Sequence, residues 1–225
     1  MKKIFILIFL VVLVSGCTLN KKSNESPEFS NIESVKKIET FQFWPLAVGN
    51  YWDYQGVTVE LENGTSEIKQ KEEIIEVTEK NGTTTAIVKV ERVTKNFALN
   101  AGEKNSLFYY AIKNQDGKKY YISGLEENID TLKKDMINID NSFFRFELPL
   151  SAGKRWDCKG ERTDNYCWTV ISTVPDGSYV IEYPEASGHT RYTLKEGIGV
   201  TKYKYHHNGT FNDEILFLVD YKINN

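Results

Sequence analysis

The chain has 225 residues, with 28 Lys and Arg against 31 Asp and Glu, and 40% of its residues are hydrophobic. This length and apolar content predict a protein with a buried core and exclude collagen, a coiled coil, a polytopic membrane protein and a mainly disordered chain. The formal net charge of −3 argues against a nucleic-acid partner, because binding to phosphates requires a clustered excess of Lys and Arg.

The first residues have the pattern of an export signal. Lys2 and Lys3 precede an uninterrupted apolar run from Ile4 to Val14, which is followed by Ser15-Gly16-Cys17. As a helix this run would rise about 16 Å, roughly half the thickness of a hydrocarbon core, so it is too short to span a membrane stably. We therefore predict a signal peptide over residues 1–16.

The tetrapeptide Val14-Ser15-Gly16-Cys17 resembles a bacterial lipobox, in which an aliphatic residue and two small residues precede a cysteine. The resemblance implies cleavage before Cys17 and transfer of a diacylglyceryl group to its thiol; the alternative is an ordinary secretory peptide. Fatty acyl chains such as palmitate contribute about 0.8 kcal/mol per buried methylene, so two or three of them hold a protein firmly on a membrane. We expect an anchor on the extracytoplasmic face of the cell membrane, or of the outer membrane if the source is Gram-negative, a point that the sequence leaves open.

Residues 17–40 are predicted to be the lipidated cysteine and a flexible tether. The segment from Thr18 to Thr40 is rich in Asn, Ser, Lys and Glu, a composition that cannot bury enough apolar surface to offset the entropy of ordering. A linker of this length spans on the order of 25 Å. It would hold a folded domain over residues 41–225 just clear of the lipid headgroups.

The remainder of the chain predicts β-structure almost throughout. Asx-Gly dipeptides recur between segments of high strand propensity, and such dipeptides tolerate the positive φ angles of type I′ hairpin turns. We therefore predict a single domain that is mainly β, a curved antiparallel sheet or half-barrel of hairpins with at most one short helix. The five dipeptides are Asn63-Gly64, Asn81-Gly82, Asp116-Gly117, Asp176-Gly177 and Asn208-Gly209.

The helical candidate is the segment Leu125 to Met136. Its apolar residues Leu125, Ile129, Leu132 and Met136 are spaced by four, three and four positions, which places them on one face of a helix.

A weak internal repeat relates residues 43–54 to residues 147–158. The segment Pro45–Asp53 matches Pro149–Asp157 at its Pro, Leu, Gly, Trp and Asp positions. In each copy Gly permits a tight turn, and Trp supplies a large side chain to anchor the next strand. We favour a structural device used twice in one domain, with two tandem domains as the alternative.

The opening Phe43–Tyr54 and the closing Gly197–Tyr205 resemble those of a widespread group of uncharacterised bacterial envelope lipoproteins. In that group the chain opens with a PLxxGxxWxY element and closes with a GxGxVxxxY strand, which is followed by a final apolar strand, here Glu214 to Tyr221. The resemblance implies a curved sheet or half-barrel like that of envelope lipid carriers. It supplies no catalytic residue, and likeness of fold to a lipid carrier does not establish lipid binding.

Cys158 and Cys167 remain once Cys17 is assigned to the lipid. An even number of cysteines outside the cytoplasm favours a disulfide, here between the arms of a hairpin, with free thiols as the alternative. Closing this loop would contribute roughly 2–3 kcal/mol in the chain-entropy model. A metal site at these cysteines is disfavoured because CxxC spacing and a nearby His are absent.

No motif of catalysis or cofactor binding stands out, and we predict no catalytic residue, no metal and no cofactor. His206 and His207 are neighbours in a predicted strand, so their side chains point to opposite faces and cannot share one ion. His189 is expected in a loop. The acidic pairs Glu72-Glu73 and Glu126-Glu127 are expected to be solvated charges.

Two functions from different classes remain open. The first is a non-enzymatic binding or structural module, in which the curved sheet binds an apolar ligand or an envelope protein. The alternative is a surface-anchored hydrolase that acts on cell-wall or extracellular polymer and needs converging carboxylates or a Ser/His pair in a cleft. The rings of pairs such as Tyr109-Tyr110 and Tyr120-Tyr121 fit an apolar concavity as well as simple cross-strand packing.

Overall fold

A computed structural model describes residues 42–61, 64–97, 102–135, 143–158, 166–209 and 212–224. The predicted signal peptide, Cys17 and the tether over residues 17–40 lie outside the described residues.

The described residues form one sheet of twelve strands and one short helix. The strands are β1 Tyr51–Glu60, β2 Gly64–Lys80, β3 Thr83–Asn96, β4 Glu103–Gln115, β5 Lys119–Ile122, β6 Phe144–Glu147, β7 Arg155–Trp156, β8 Trp168–Thr173, β9 Tyr179–Glu185, β10 Gly188–Lys195, β11 Gly199–His207 and β12 Asn212–Lys222, and the helix is α1 Ile129–Asp135.

Every strand pairs antiparallel with its neighbour in the order β6-β5-β4-β3-β2-β1-β12-β11-β10-β9-β8-β7. The sheet therefore consists of two six-stranded meanders, β1–β6 and β7–β12, joined by the ladder between β1 and β12. The predicted curved antiparallel sheet with one short helix is confirmed.

Four of the five Asx-Gly dipeptides lie between consecutive strands, as the sequence predicts; of the fifth, Asn63 lies outside the described residues and Gly64 is the first residue of β2. Asn81 and Gly82 have φ angles of 51° and 72°, and Asp116 and Gly117 have φ angles of 53° and 68°, which are the left-handed values that a type I′ turn requires at both central residues. In the turn between β8 and β9 only the glycine, Gly177, has a positive φ, of 84°.

Side chains close the sheet into a nearly complete barrel where its two edges, β6 and β7, meet. Arg145 of β6 forms an ion pair with the carboxylate of Asp157, and the indole N–H of Trp156 donates to the backbone oxygen of Arg145. The rings of Phe144 and Trp168 lie 4.5 Å apart. We call this contact the β6–β7 seam; it covers both edges without a backbone ladder between them.

The segment of residues 43–46, here called the plug, enters the barrel before β1 begins. The ring of Phe43 packs against Phe146 at 5.6 Å and Tyr179 at 6.2 Å, and the amide of Gly197 donates to its backbone oxygen. A Cβ built at Gly199 would lie 2.6 Å from Nε1 of Trp44, so only glycine lets the indole approach this strand so closely. The plug thus ties together walls from both meanders.

The two repeated segments form the same turn. Gly49 and Gly153 both have φ of 82°. The amide of Gly49 donates a hydrogen bond to the backbone oxygen of Ile74, and the amide of Gly153 donates one to the backbone oxygen of Val170. Both hydrogen bonds are 2.8 Å long. One turn leads into β1 and the other into β7, so each opens one meander of the shared sheet.

Helix α1 covers part of the outer face of the sheet. Leu132 is buried against Ile87 and Ala111, in a small cluster outside the barrel. The helix begins at Ile129 and not at Leu125 as predicted, because the side chain of Asn128 accepts a hydrogen bond from the amide of Asp130 and caps its start; Met136, the predicted end, lies outside the described residues. Leu125, which the periodicity assigned to the helix, precedes it. Among the described residues no helix is long and apolar enough to cross a bilayer.

Cys158 and Cys167 form a disulfide, with their sulfurs 2.04 Å apart. The bond joins the residues that follow β7 to those that precede β8, so it fastens the two-residue strand β7 at the edge of the sheet to its neighbour.

Replacement of Ile181 in β9 by Ala should lower the free energy of unfolding by about 2–5 kcal/mol, because the side chain is fully buried at 0% exposure and its loss leaves a cavity. The matched control is Ile171→Ala in the adjacent strand β8, where the side chain is 43% exposed and the expected cost is below about 1 kcal/mol. Urea denaturation of both variants measures the difference, and equal losses would contradict the assignment of the barrel interior as the core.

Candidate functional site

The barrel interior contains a cavity of about 430 Å³. Its walls come from both meanders and are mostly aromatic and aliphatic, with a few polar groups set among them. The residues that line it are Trp44, Tyr54, Gln70, Glu72, Arg92, Tyr110, Ile122, Ser123, Gly124, Leu125, Phe143, Phe144, Tyr192, Val200, Tyr203, Glu214 and Leu216.

Successive residues of a strand point to opposite faces of the sheet, so every second residue of each strand faces the barrel interior and can line the cavity. In β2 the buried residues Ile68 and Ile74 share a face with Gln70 and Glu72, which line the cavity. Trp44 of the plug, 3% exposed, closes the cavity from within the barrel.

The cavity opens beside the short strand β5. Leu125 and Phe143 line it and are 57% and 59% exposed, so two large apolar side chains stand at its mouth. Gly124 lies between Ser123 and Leu125 at the same opening, and a Cβ built there would meet nothing within 4 Å. Exposed apolar groups around an apolar cavity are typical of a ligand entrance.

Glu72 is the carboxylate at the centre of the polar groups in the cavity. Its Oε2 accepts a hydrogen bond of 2.7 Å from the hydroxyl of Tyr110, and its Oε1 accepts one of 2.8 Å from the side-chain amide of Gln70. Both donors are electrically neutral. Among the described residues, the carboxylate is therefore held in position by neutral donors, with no cation bonded to it.

Arg92 and Glu214 form an ion pair in the cavity wall. The guanidinium donates through both terminal nitrogens to both carboxylate oxygens, with an Nη1 to Oε1 distance of 3.0 Å. Nη1 also lies 3.5 Å from the side-chain oxygen of Gln70. Hydrogen bonds thus connect β12, β3, β2 and β4 through the sequence Glu214, Arg92, Gln70, Glu72 and Tyr110.

Burial dominates the electrostatics of this cluster. It raises the pKa of Glu72 above the ordinary value, and the hydrogen bonds from Tyr110 and Gln70 oppose that rise. Burial also raises the pKa of Tyr110 well above its ordinary value, with the charge of Glu72 adding to the effect. The pKa values of Tyr54, Tyr192 and Tyr203 are raised by burial as well, so these phenols stay neutral at physiological pH.

The prediction that Glu72 and Glu73 are both solvated is wrong for Glu72. The two side chains do diverge: Glu73 forms a surface ion pair of 3.4 Å with Lys71, while Glu72 points into the barrel. The sequence did hold a signal, because Glu72 has the same strand parity as Ile68 and Ile74.

The three histidines lie outside the cavity wall. His189 is in strand β10, not in a loop as predicted, and its ring lies 5.3 Å from that of His206. Nδ1 of His206 bonds to Asp213, and Nε2 bonds to Oδ1 of Asn208. Within the described ranges no group of three His, Cys, Asp or Glu residues is placed to hold a metal ion.

A serine and a histidine do meet, at the end of β11. Oγ of Ser187 and Nε2 of His207 are hydrogen-bonded at a distance of 2.5 Å. Neither residue is among those that line the cavity.

Replacement of Glu72 by Gln should make the protein more stable at neutral pH. Folding raises the pKa of Glu72, so the wild-type protein loses free energy of unfolding as the pH rises and Glu72 ionises in the folded state. Gln does not ionise, so the variant keeps its free energy of unfolding over the same pH range. The advantage should disappear as the pH falls below about 4, where Glu is neutral in both states.

Urea denaturation across this pH range measures the difference between E72Q and the wild-type protein. The control is E73Q on the outer face, where the carboxylate forms a surface ion pair with Lys71, and this variant should not be more stable than the wild-type protein at neutral pH. If E72Q is less stable than the wild-type protein at every pH, burial of the charge on Glu72 is not the main effect of this residue on the free energy of unfolding.

Comparison with known proteins gives three findings. Residues 1–18 match the prokaryotic membrane lipoprotein lipid attachment site. A candidate lipoprotein from Parabacteroides distasonis has a similar structure, with 10% identity, a TM-score of 0.46 and coverage of 81% of this chain and 99% of that chain. A candidate exported protein with a YmcC-like fold from Bacteroides fragilis has the same identity and coverages and a TM-score of 0.41.

No curated protein sequence matches the chain at a significant level. The two structural likenesses carry no assignment of function. The match over residues 1–18 covers the predicted signal peptide and the cysteine that follows it, and the chain is a bacterial lipoprotein, attached to a membrane of the cell envelope through an N-terminal lipid.

Proposed function

We propose that this lipoprotein is a non-enzymatic binding module that takes an apolar ligand into the cavity of its barrel. The observation that carries the proposal is the combination of an interior cavity of about 430 Å³ with a mouth bordered by the exposed side chains of Leu125 and Phe143. Cavities of this size are within the range that binds small organic ligands.

The composition of the wall supports an apolar ligand. Trp44, Ile122, Phe144 and Leu216 are buried side chains that line the cavity, and transfer of a hydrocarbon chain onto such a surface yields roughly 25 cal/mol for each Å² removed from water. The rings are braced by one another, as in the stacking of Phe144 on Tyr192 at 4.9 Å. A preformed wall reduces the entropy that binding would otherwise cost.

The lipid anchor places this binding module next to a source of apolar ligands. We infer that the anchor is a diacylglyceryl group on Cys17 and that the domain lies on the extracytoplasmic face of the membrane. We also propose that the protein is homologous to the uncharacterised envelope lipoproteins that open with a PLxxGxxWxY element. An envelope protein bound at the outer face of the sheet is the partner-binding version of it.

A hydrolase is the second candidate, and the hydrogen bond between Ser187 and His207 is the observation in its favour. The pair lies apart from the residues that line the cavity, and no histidine is among the described residues of that wall. A substrate held in the cavity would therefore not meet this serine, and we favour binding over catalysis.

Gly124→Trp should weaken binding of a fluorescent apolar probe such as N-phenyl-1-naphthylamine by about tenfold or more, because the indole would occupy the open mouth. The matched control is Gly102→Trp, at which a Cβ also meets nothing within 4 Å but which lies outside the cavity wall. Titration followed by probe fluorescence measures both dissociation constants. Failure of the wild-type protein to bind the probe, or equal loss in both variants, would overturn the proposed use of the cavity.

Cys17→Ala should abolish incorporation of radiolabelled palmitate into the protein in growing cells, because the acceptor thiol is absent. The control is the double variant Cys158→Ser and Cys167→Ser, whose cysteines are bonded to each other and which should keep the full label. Gel autoradiography with protein amounts matched by immunoblot measures the outcome, and label that persists in Cys17→Ala would contradict acylation at this residue.

A further inference from the structure

The charges that line the cavity do not balance. Glu72, Arg92 and Glu214 line it, and the bidentate pairing of Arg92 with Glu214 neutralises those two groups. Arg92 is the one cation among the described residues of the wall, so the charge of Glu72 faces the cavity without compensation.

The carboxylate of Glu72 can still accept hydrogen bonds. Each of its oxygens receives one bond, from Tyr110 or from Gln70, and a carboxylate oxygen has the capacity to accept a second. Glu72 is largely buried but keeps some exposed surface, and it forms part of the cavity wall. A ligand inside the cavity can therefore reach it.

The groups near Glu72 suit a cation better than an anion. Tyr54 and Tyr192 line the same cavity and are close enough to interact electrostatically with Glu72, and the faces of such rings attract cations. The guanidinium of Arg92 is already held by two oxygens of Glu214, so an anionic headgroup would meet the charge of Glu72 without gaining a free positive partner.

From this arrangement we propose that the cavity selects amphiphiles with an ammonium headgroup, and that Glu72 accepts that headgroup while the apolar wall takes the hydrocarbon chain. This specificity rests on the proposed function of the cavity. An ammonium group would supply both the missing positive charge and N–H donors for the free lone pairs of the carboxylate.

Binding of such a ligand depends on pH. A bound cation favours the ionised form of Glu72 against the effect of burial, so affinity for the ammonium ligand should fall as the pH falls and Glu72 becomes protonated. Tyr110 is hydrogen-bonded to Glu72, Tyr54 and Tyr192 line the same cavity and interact electrostatically with it, and the Arg92–Glu214 pair lies beyond Gln70. Burial raises the pKa values of these three phenols, so they do not titrate in this acid range.

The test compares decylammonium, decanol and decanoate as competitors for the bound fluorescent probe, with the mature chain and its E72Q and E73Q variants. The wild-type protein should bind decylammonium about tenfold more tightly than decanol, with decanoate weakest, since each tenfold step corresponds to about 1.4 kcal/mol. E72Q should lose the preference for decylammonium over decanol, measured as the ratio of the two dissociation constants within the same variant. E73Q should keep the wild-type order.

The outcomes separate the two proposals. If all three compounds displace the probe equally from the wild-type protein, or if E72Q keeps the preference for decylammonium, the assignment of an ammonium headgroup is overturned and the binding function stands. If the wild-type protein binds neither the probe nor any of the three compounds, the binding function itself is overturned. The order of affinities in the wild-type protein decides the question even if E72Q fails to fold.

Discussion

The barrel depends on the contact that joins its two edges. A sheet of twelve strands has unpaired backbone at β6 and β7 and one apolar face that must be kept from water. The β6–β7 seam covers both edges with side chains, through Arg145, Trp156 and Asp157, and the curvature that brings them together gives all inward-facing residues one shared interior. The plug fills part of that interior, and the cavity is the space that remains.

The two meanders meet in two different ways. At one junction β1 and β12 pair along ten positions, from Tyr51 with Lys222 to Glu60 with Asn212. At the other junction β6 and β7, which are only four and two residues long, meet through side chains. The repeated turn at Gly49 and Gly153 leads into β1 and β7. The strand after the first copy pairs with β12 in a continuous ladder, whereas the strand after the second copy meets β6 only through side chains at the seam. The cavity mouth opens beside the short strands of the seam, where Leu125 and Phe143 stay exposed.

In the part of the chain that the structure describes, the interior combines apolar walls with one carboxylate, Glu72, to which no cation is bonded. Burying Glu72 costs free energy, which the hydrogen bonds from Tyr110 and Gln70 offset only in part, since the pKa remains raised. If Glu72 had only a structural role, an apolar residue of similar volume would fill the position at a smaller cost in folding free energy. A carboxylate whose pKa is raised by burial in a cavity wall is a typical feature of binding sites.

The amino-acid sequence by itself determined the features that depend on neighbouring residues. The export signal, the antiparallel meander and its Asx-Gly turns all follow from local composition, since backbone conformation at Asn81-Gly82 or Asp116-Gly117 needs no distant partner. Tertiary structure alone decided the closure of the sheet at the seam and the position of the plug, because these depend on residues far apart, such as Phe43 and Tyr179. The role of Glu72 belongs to both levels: strand parity indicated the direction of its side chain, but only closure of the barrel turned that direction into burial.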